Sequence, residues 1–331
     1  MTDKLLTLKD AYKDYFKIGV AVNPGTLERD DELIRTHFNS LTAENHMKPE
    51  ELQPEEGVFT FDKADKIVEY AKQNNMMMRG HTLLWHNQTP EWFFKDGDKE
   101  ASRELALERL KTHMEVVLGR YSDQFYAWDV CNEVVEDHGE ELLRESPWKS
   151  IIGDDYVQKA FELAREVNPN MTLYYNDYNE SHPEKRDKIY TMVKGLLDKG
   201  TPIDAVGLQA HWGLEDPTLD NIRLAIEKYA SLGLKLSVTE MDVSVFNFDD
   251  KRTDLTEPTQ EMMEKQAERY DQFFSLFREY KEHIESVTLW AASDRYNWLN
   301  DFPVRGRKNW PMLFDTNNQP KESFHRVTSF N

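Results

Sequence analysis

Eight short extended runs, nearly all separated by amphipathic helical patterns, constrain this chain more than anything else in its sequence. The runs fall at residues 17–22, 40–43, 76–80, 125–132, 172–176, 205–209, 236–240 and 287–290. Apolar residues recur between them at helical spacing, as in Leu33, Ile34 and Phe38, or Leu107, Leu110, Met114 and Val117. Another stripe, Ala64, Ile67, Val68 and Ala71, follows Asp62, which reads as an N-cap with Asp65 three positions on. Val157, Ala160, Phe161 and Ala164 repeat the pattern, as do Ile189, Val193 and Leu196. So do Ile222, Ala225, Ile226 and Tyr229, and finally Tyr270, Phe273, Phe274 and Phe277. Eight alternating units suit a closed parallel barrel better than an open doubly wound sheet. The doubly wound alternative needs a glycine-rich turn after the first strand, and Val22-Asn23-Pro24-Gly25 does not supply it. The predicted fold is therefore α/β, a (β/α)8 TIM barrel with its active site at the C-terminal ends of the strands. No Gly/Ser-rich linker or low-complexity tract interrupts the 331 residues, so one domain over 1–331 is the economical reading.

Catalytic groups of such barrels sit where the strands end. Here the second run leads into Glu44-Asn45-His46-Met47-Lys48, and the third into His81, Trp85, His86 and Gln88. The fourth ends in Asn132-Glu133, the fifth in Asn176-Asp177-Tyr178, and the sixth in Gln209-Ala210-His211-Trp212. The seventh ends in Glu240-Met241-Asp242, and the eighth in Trp290 with Trp298 nearby. A lone glutamate at a strand end is ordinarily solvated, and a lone tryptophan is ordinarily core. Polar and aromatic residues agreeing at seven strand ends point instead to a site. Glu133 and Glu240 lie 240 − 133 = 107 residues apart, about three strand–helix units, a spacing that can bring both to one rim. A facing pair of carboxyls is the equipment for cleaving a glycosidic bond.

Several ordered segments carry a more specific signal. They are Leu41 through Lys48, Arg79-Gly80-His81-Thr82-Leu83-Leu84-Trp85-His86, Trp128-Asp129-Val130-Cys131-Asn132-Glu133, Gly207-Leu208-Gln209-Ala210-His211 and Val238-Thr239-Glu240-Met241-Asp242. Over essentially its whole length the chain resembles glycoside hydrolase family 10, the endo-β-1,4-xylanases. That resemblance implies hydrolysis of β-1,4-xylosidic bonds with retained configuration, without cofactor or metal. By it Glu133 is the acid/base and Glu240 the nucleophile. A retaining pair needs one neutral and one ionised carboxyl, and an ionised Glu240 would raise the pKa of a nearby Glu133. His211 and Asp242 are expected to form a relay that orients Glu240, and Asn132 to hold the sugar 2-hydroxyl. The xylose-binding set carried over is Glu44, Asn45, Lys48, His81, Trp85, Gln88, Gln209, Trp290 and Trp298 on the glycone side. Tyr178 resembles the stacking platform on the aglycone side. Cys131 stands where a β-branched residue is commoner in the family, and residues 291–298 are an atypical version of that segment.

Two other mechanisms compete. A metal-dependent hydrolase could use His81, His86, His211 and nearby carboxylates, but the first strand end lacks a His-x-His pair. A carbohydrate-binding protein without catalysis would not need both glutamates and Asn132. Arg305, Arg307 and Lys308 give one loop positive charge; they read as balancing Asp294 and Asp301, or as a grip on a carboxylate-bearing sugar substituent.

Composition bounds the partners. A net charge of −20 argues against nucleic acid or an anionic membrane, because neutralising phosphate needs basic surface. Eight Trp, 14 Tyr and 17 Phe fill a core and leave aromatics for sugar faces. The single cysteine, Cys131, cannot form an intrachain disulfide, and fits a reducing compartment and a buried position. Residues 1–10 lack an unbroken apolar region and a small-residue cleavage site, and no stretch reaches a membrane span. A cytoplasmic enzyme of intracellular type is expected, acting on short imported xylo-oligosaccharides, because polymeric xylan stays outside the cell.

Overall fold

The computed structural model describes residues 6–330. Eight strands form the barrel: β1 Lys17–Val22, β2 Ser40–Ala43, β3 Met77–Leu84, β4 Phe125–Asn132, β5 Thr172–Asp177, β6 Ala205–Leu208, β7 Lys235–Ser244 and β8 Ile284–Leu289. Neighbours in sequence pair in parallel from β1 to β8. Pairing of β8 with β1, Lys17 opposite Ser286 and Val20 opposite Leu289, closes the sheet. Closure leaves the barrel without an open edge to pair with another chain.

Helices connect the strands and cover the sheet. Asp62–Gln73 buries the expected stripe of Ala64, Ile67, Val68 and Ala71. Each buried Ile or Val of such a stripe contributes about 1.5–3 kcal/mol. Asp62 is the first helical residue rather than its cap; Phe61 holds the cap position and makes no side-chain cap bond. An acidic Asp62 inside the first turn still complements the helix dipole. Ser102, Thr218 and Thr259 do cap their helices, accepting from the amides of Leu105, Asn221 and Met262. In Arg103–Tyr121 the buried face begins at Ala106, with Leu107 only partly covered.

Strand bounds differ from expectation mainly where the site is built. β3 runs four residues past Gly80 because a register shift lets it keep pairing with β4, and β7 runs four past Glu240 because Asp242–Ser244 pair with residues 211–213. Glycine is required at position 80. A Cβ there would lie 2.0 Å from the indole of Trp128, its register partner on β4. The barrel interior is polar through much of its height. Tyr174 Oη and Ser237 Oγ are 2.8 Å apart, and Ser286 Oγ donates to Ser237 Oγ at 2.9 Å. Above them Arg79 pairs with Asp129 and donates to the carbonyl of Thr239 at 2.9 Å, both charged side chains fully buried.

Candidate active site

Two local backbone features set the site. Glu133 follows the last residue of β4 with φ +58°, a left-handed conformation that costs a non-glycine residue about 1–2 kcal/mol. Its amide donates to the carbonyl of Asn176 at 2.9 Å, and Arg144 Nε donates to its carbonyl at 3.1 Å. These bonds hold the strained turn and project the carboxyl over the strand ends. Ala210 is left-handed as well, φ +59°, and interrupts the sixth strand. Pairing resumes at His211–Gly213, which places His211 opposite Asp242 on β7.

The two glutamates share one rim, joined by amides. Gln209 Nε2 donates to Glu133 Oε1 at 2.9 Å and to Asn132 Oδ1 at 3.3 Å. Asn176 Nδ2 donates to Asn132 Oδ1 at 2.9 Å and to Glu240 Oε1 at 3.0 Å. Trp85 Nε1 donates to Glu133 Oε2 at 2.9 Å. On the Glu240 side His211 Nε2 lies 2.9 Å from Glu240 Oε2, and His211 Nδ1 lies 3.0 Å from both oxygens of Asp242. With carboxylates at both nitrogens the ring is a doubly donating imidazolium, and its pKa is held well above the usual value against its burial.

The carboxyls therefore titrate far apart. Burial raises Glu133 to about 7, with the charges of Asp177 and Glu240 adding to it. Burial, rather than the charge of Glu240, is the larger cause. Glu133 still keeps some surface open to the groove. For Glu240 burial acts upward, but the His211 hydrogen bond and the charges of His81, His211 and Arg79 override it and lower the group to about 2. The site thus favours a neutral Glu133 beside an ionised Glu240.

The remaining expected residues surround this pair. Lys48 Nζ donates to Asn45 Oδ1 at 2.8 Å and Gln88 Oε1 at 3.0 Å, and sits 4.7 Å above the Trp85 ring. Glu44 is buried beside Lys48; burial raises its pKa and the Lys48 charge opposes this. The rings of His81 and Trp290 meet edge to face at 5.5 Å. Trp298 Nε1 donates to Asp242 Oδ2 at 2.8 Å, and its ring lies 4.9 Å from that of His211. Tyr178 stands apart, on the β5 side. Its hydroxyl donates to Asp137 Oδ2 at 2.5 Å and accepts from Arg144 Nη2 at 2.9 Å, while Lys185 Nζ lies 4.1 Å over its ring.

Sequence reasoning missed several participants. Asn176 was seen at a strand end but not as the bridge between Asn132 and Glu240. Asp129, bonded to His81 Nδ1 at 2.7 Å, and Arg79 beneath it stand in the sequence only as parts of a motif. Arg144 is missing from the expected set, although an arginine eleven residues after the acid was visible. His81, Asp129 and Glu240 converge within 4.8 Å and could in principle hold a cation. Arg79 already neutralises Asp129, and His211 neutralises Glu240, so this donor set fits a metal ion poorly. His86 does not join it. Arg307 is also placed differently: buried, it donates to the carbonyls of Asp250 and Arg252 and covers Phe246, while Asp294 pairs with Lys321 at 2.9 Å. That guanidinium is occupied holding a loop and is not offered to a ligand.

A closed parallel barrel carrying one raised and one depressed carboxyl on its C-terminal rim, with amide donors between them, defines a glycoside hydrolase. Comparison with known proteins gives the family. The model of glycosyl hydrolase family 10 matches residues 7–330, and the chain belongs to that family. It is 55% identical over 330 residues to an endo-1,4-beta-xylanase of Geobacillus stearothermophilus, covering 99% of this chain and 100% of that protein. The crystal structure of an endo-1,4-beta-xylanase from Caldicellulosiruptor owensensis superposes with TM-score 0.97 at 54% identity, covering 98% and 100% of the two chains. A variant structure in complex with xylotriose does so at TM-score 0.97 and 52% identity, covering 98% and 99%.

Proposed function

We propose that this chain is an endo-1,4-β-xylanase working by retaining double displacement, with Glu133 as acid/base and Glu240 as nucleophile. The observation that carries the reading is a pair of carboxyls on one hydrogen-bonded rim, Glu133 held by Gln209 and Trp85 and Glu240 by Asn176 and His211; burial pushes the first up, and the cationic surroundings hold the second down. Protonated Glu133 delivers its proton to the leaving glycosidic oxygen while ionised Glu240 attacks the anomeric carbon. Esterification removes the charge of Glu240, one of the influences raising Glu133. Glu133, now ionised, takes a proton from water, which displaces Glu240 and restores the starting state. His211 and Asp242 keep Glu240 ionised and aimed. Trp85, Trp290 and Trp298 wall the glycone side, where Glu44, Asn45, Lys48, His81, Gln88 and Gln209 bind hydroxyls. Tyr178 is the aglycone platform. The xylanases of similar sequence and the xylotriose complex support xylan or its oligosaccharides as substrate.

The test is NMR of products during digestion of a defined xylo-oligosaccharide. Internal cleavage with the β anomer released first is expected; α product released first overturns the mechanism.

Residues 1–331 are further proposed to act as one catalytic domain in the cytoplasm, on short imported xylo-oligosaccharides, without nucleic-acid or membrane partners. A lone buried Cys131 and the acidic net charge support this reading. Among the described residues no helix is long and apolar enough to cross a membrane. Higher kcat/KM on xylotetraose than on polymeric xylan, and recovery of the protein from the cell interior, are expected. Preference for the polymer or recovery from the medium would count against it.

A further inference from the structure

The amide of Asn132 has a fixed direction. Its Oδ1 accepts two donors, Asn176 Nδ2 at 2.9 Å and Gln209 Nε2 at 3.3 Å. Its Nδ2, on a side chain only 1% exposed, is buried and has no partner within the protein. A buried amide group without a partner is costly unless a ligand satisfies it. Asn176 cannot turn over to reverse this, because its Nδ2 faces Glu240 Oε1, and an ionised carboxylate only accepts; its Oδ1 accepts from Thr239 Oγ1 at 2.6 Å. Gly207 leaves the room: a Cβ there would lie 2.4 Å from Asn176 Oδ1. The same Nδ2 that pins Asn132 also donates to Glu240 Oε1 at 3.0 Å.

We propose that Asn176 is a positioning residue that decides which end of the Asn132 amide faces the sugar, leaving Asn132 only as a donor to the 2-hydroxyl oxygen of the ring under attack. Asn176 does not itself touch substrate. One side chain thus couples the direction of the 2-hydroxyl contact to the rotamer of the nucleophile. The inference rests on the reading of the site as a retaining xylosidic cleft and deepens it.

The experiment compares two substrates, an aryl β-xylobioside and its analogue lacking the 2-hydroxyl on the ring next to the aryl group. Asn176→Ala and the near-isosteric Asn176→Asp are measured beside wild type, with thermal unfolding recorded for each. Losing the orienting donor is expected to lower kcat/KM on the hydroxylated substrate about tenfold more than on the 2-deoxy analogue. In an Asn132→Ala background the same change should show no such selectivity. A loss merely from loosened packing, or from Glu240 alone, lowers both substrates by the same factor, and that result overturns the proposal. Should Asn176→Ala fail to fold, Asn176→Asp gives the same comparison. A wild-type enzyme that cleaves the xylobioside but is indifferent to the 2-hydroxyl overturns this inference alone. One that does not cleave xylosides at all overturns the reading of the site with it.

Discussion

The indole N–H of Trp85 donates to Oε2 of Glu133 at 2.9 Å, so the aromatic ring and the raised carboxyl form one hydrogen-bonded piece. This donor favours the ionised carboxylate and opposes the upward push of burial. Trp85→Phe removes the donor while keeping an aromatic face. The basic limb of kcat/KM should then move to higher pH, as read from a pH–rate profile on a xylo-oligosaccharide. An unmoved or lowered limb would contradict the role given to this bond.

Glu133→Ala separates proton transfer from the rest of the chemistry. Activity on unactivated xylo-oligosaccharides should fall by about 10²–10⁴, the usual worth of a positioned acid. Formation of the glycosyl-enzyme from a dinitrophenyl xylobioside, whose leaving group needs no proton, should be nearly unchanged. Equal losses on both would remove Glu133 from the acid role. The companion change, Glu240→Ala, should abolish turnover of both, and added azide should yield the α-glycosyl azide.

The raised pKa of Glu133 has a stability consequence with a definite sign. Its value is about 7 in the folded chain against an ordinary 4.5, so ionising it costs more folded than unfolded. The associated stability is fully present below about pH 4.5 and lost as pH rises through 7. Glu133→Gln cannot ionise. Its melting temperature relative to wild type should therefore climb between pH 4.5 and pH 8, measured by calorimetry. A difference independent of pH would refute the assignment. Activity should fall through the same upper range as the acid loses its proton.

Residues whose position follows from chain direction were legible in the sequence; those whose contacts depend on register were not. Glu133 and Glu240 end β-prone runs, and a parallel barrel sends every such end to one rim. The contacts of His211 with Glu240 and Asp242 depend on the left-handed Ala210 that turns His211 inward, and that turn leaves no mark in composition. Arg79 and Asp129 are 50 residues apart, and meet only because β3 and β4 pair with a register shift just before Arg79. Asn176 shows its function only once β5 lies between Asn132 and β7. Arg307 illustrates the reverse case, where one member of a basic cluster on paper is buried holding the carbonyls of Asp250 and Arg252.

Gly80 makes the packing of β3 against β4 testable away from the chemistry. Gly80→Ala would force a methyl into the indole of Trp128, which is fully buried and stacked on Phe125 at 5.2 Å. Overpacking of this kind costs about 1–3 kcal/mol. Urea denaturation should show that loss, while an unchanged midpoint would mean the sheet yields more easily than its geometry suggests.

Arg79, Asp129 and His81 stand in file from the middle of the barrel to the underside of Glu240. Arg79 and Asp129 are a fully buried ion pair, so neither can be exchanged alone, since each loss strands the other's charge in a dry interior. Evolutionary drift at this pair must then proceed by a compensated exchange of both residues. A lineage of such proteins can rebuild the pillar beneath Glu240 only in paired steps.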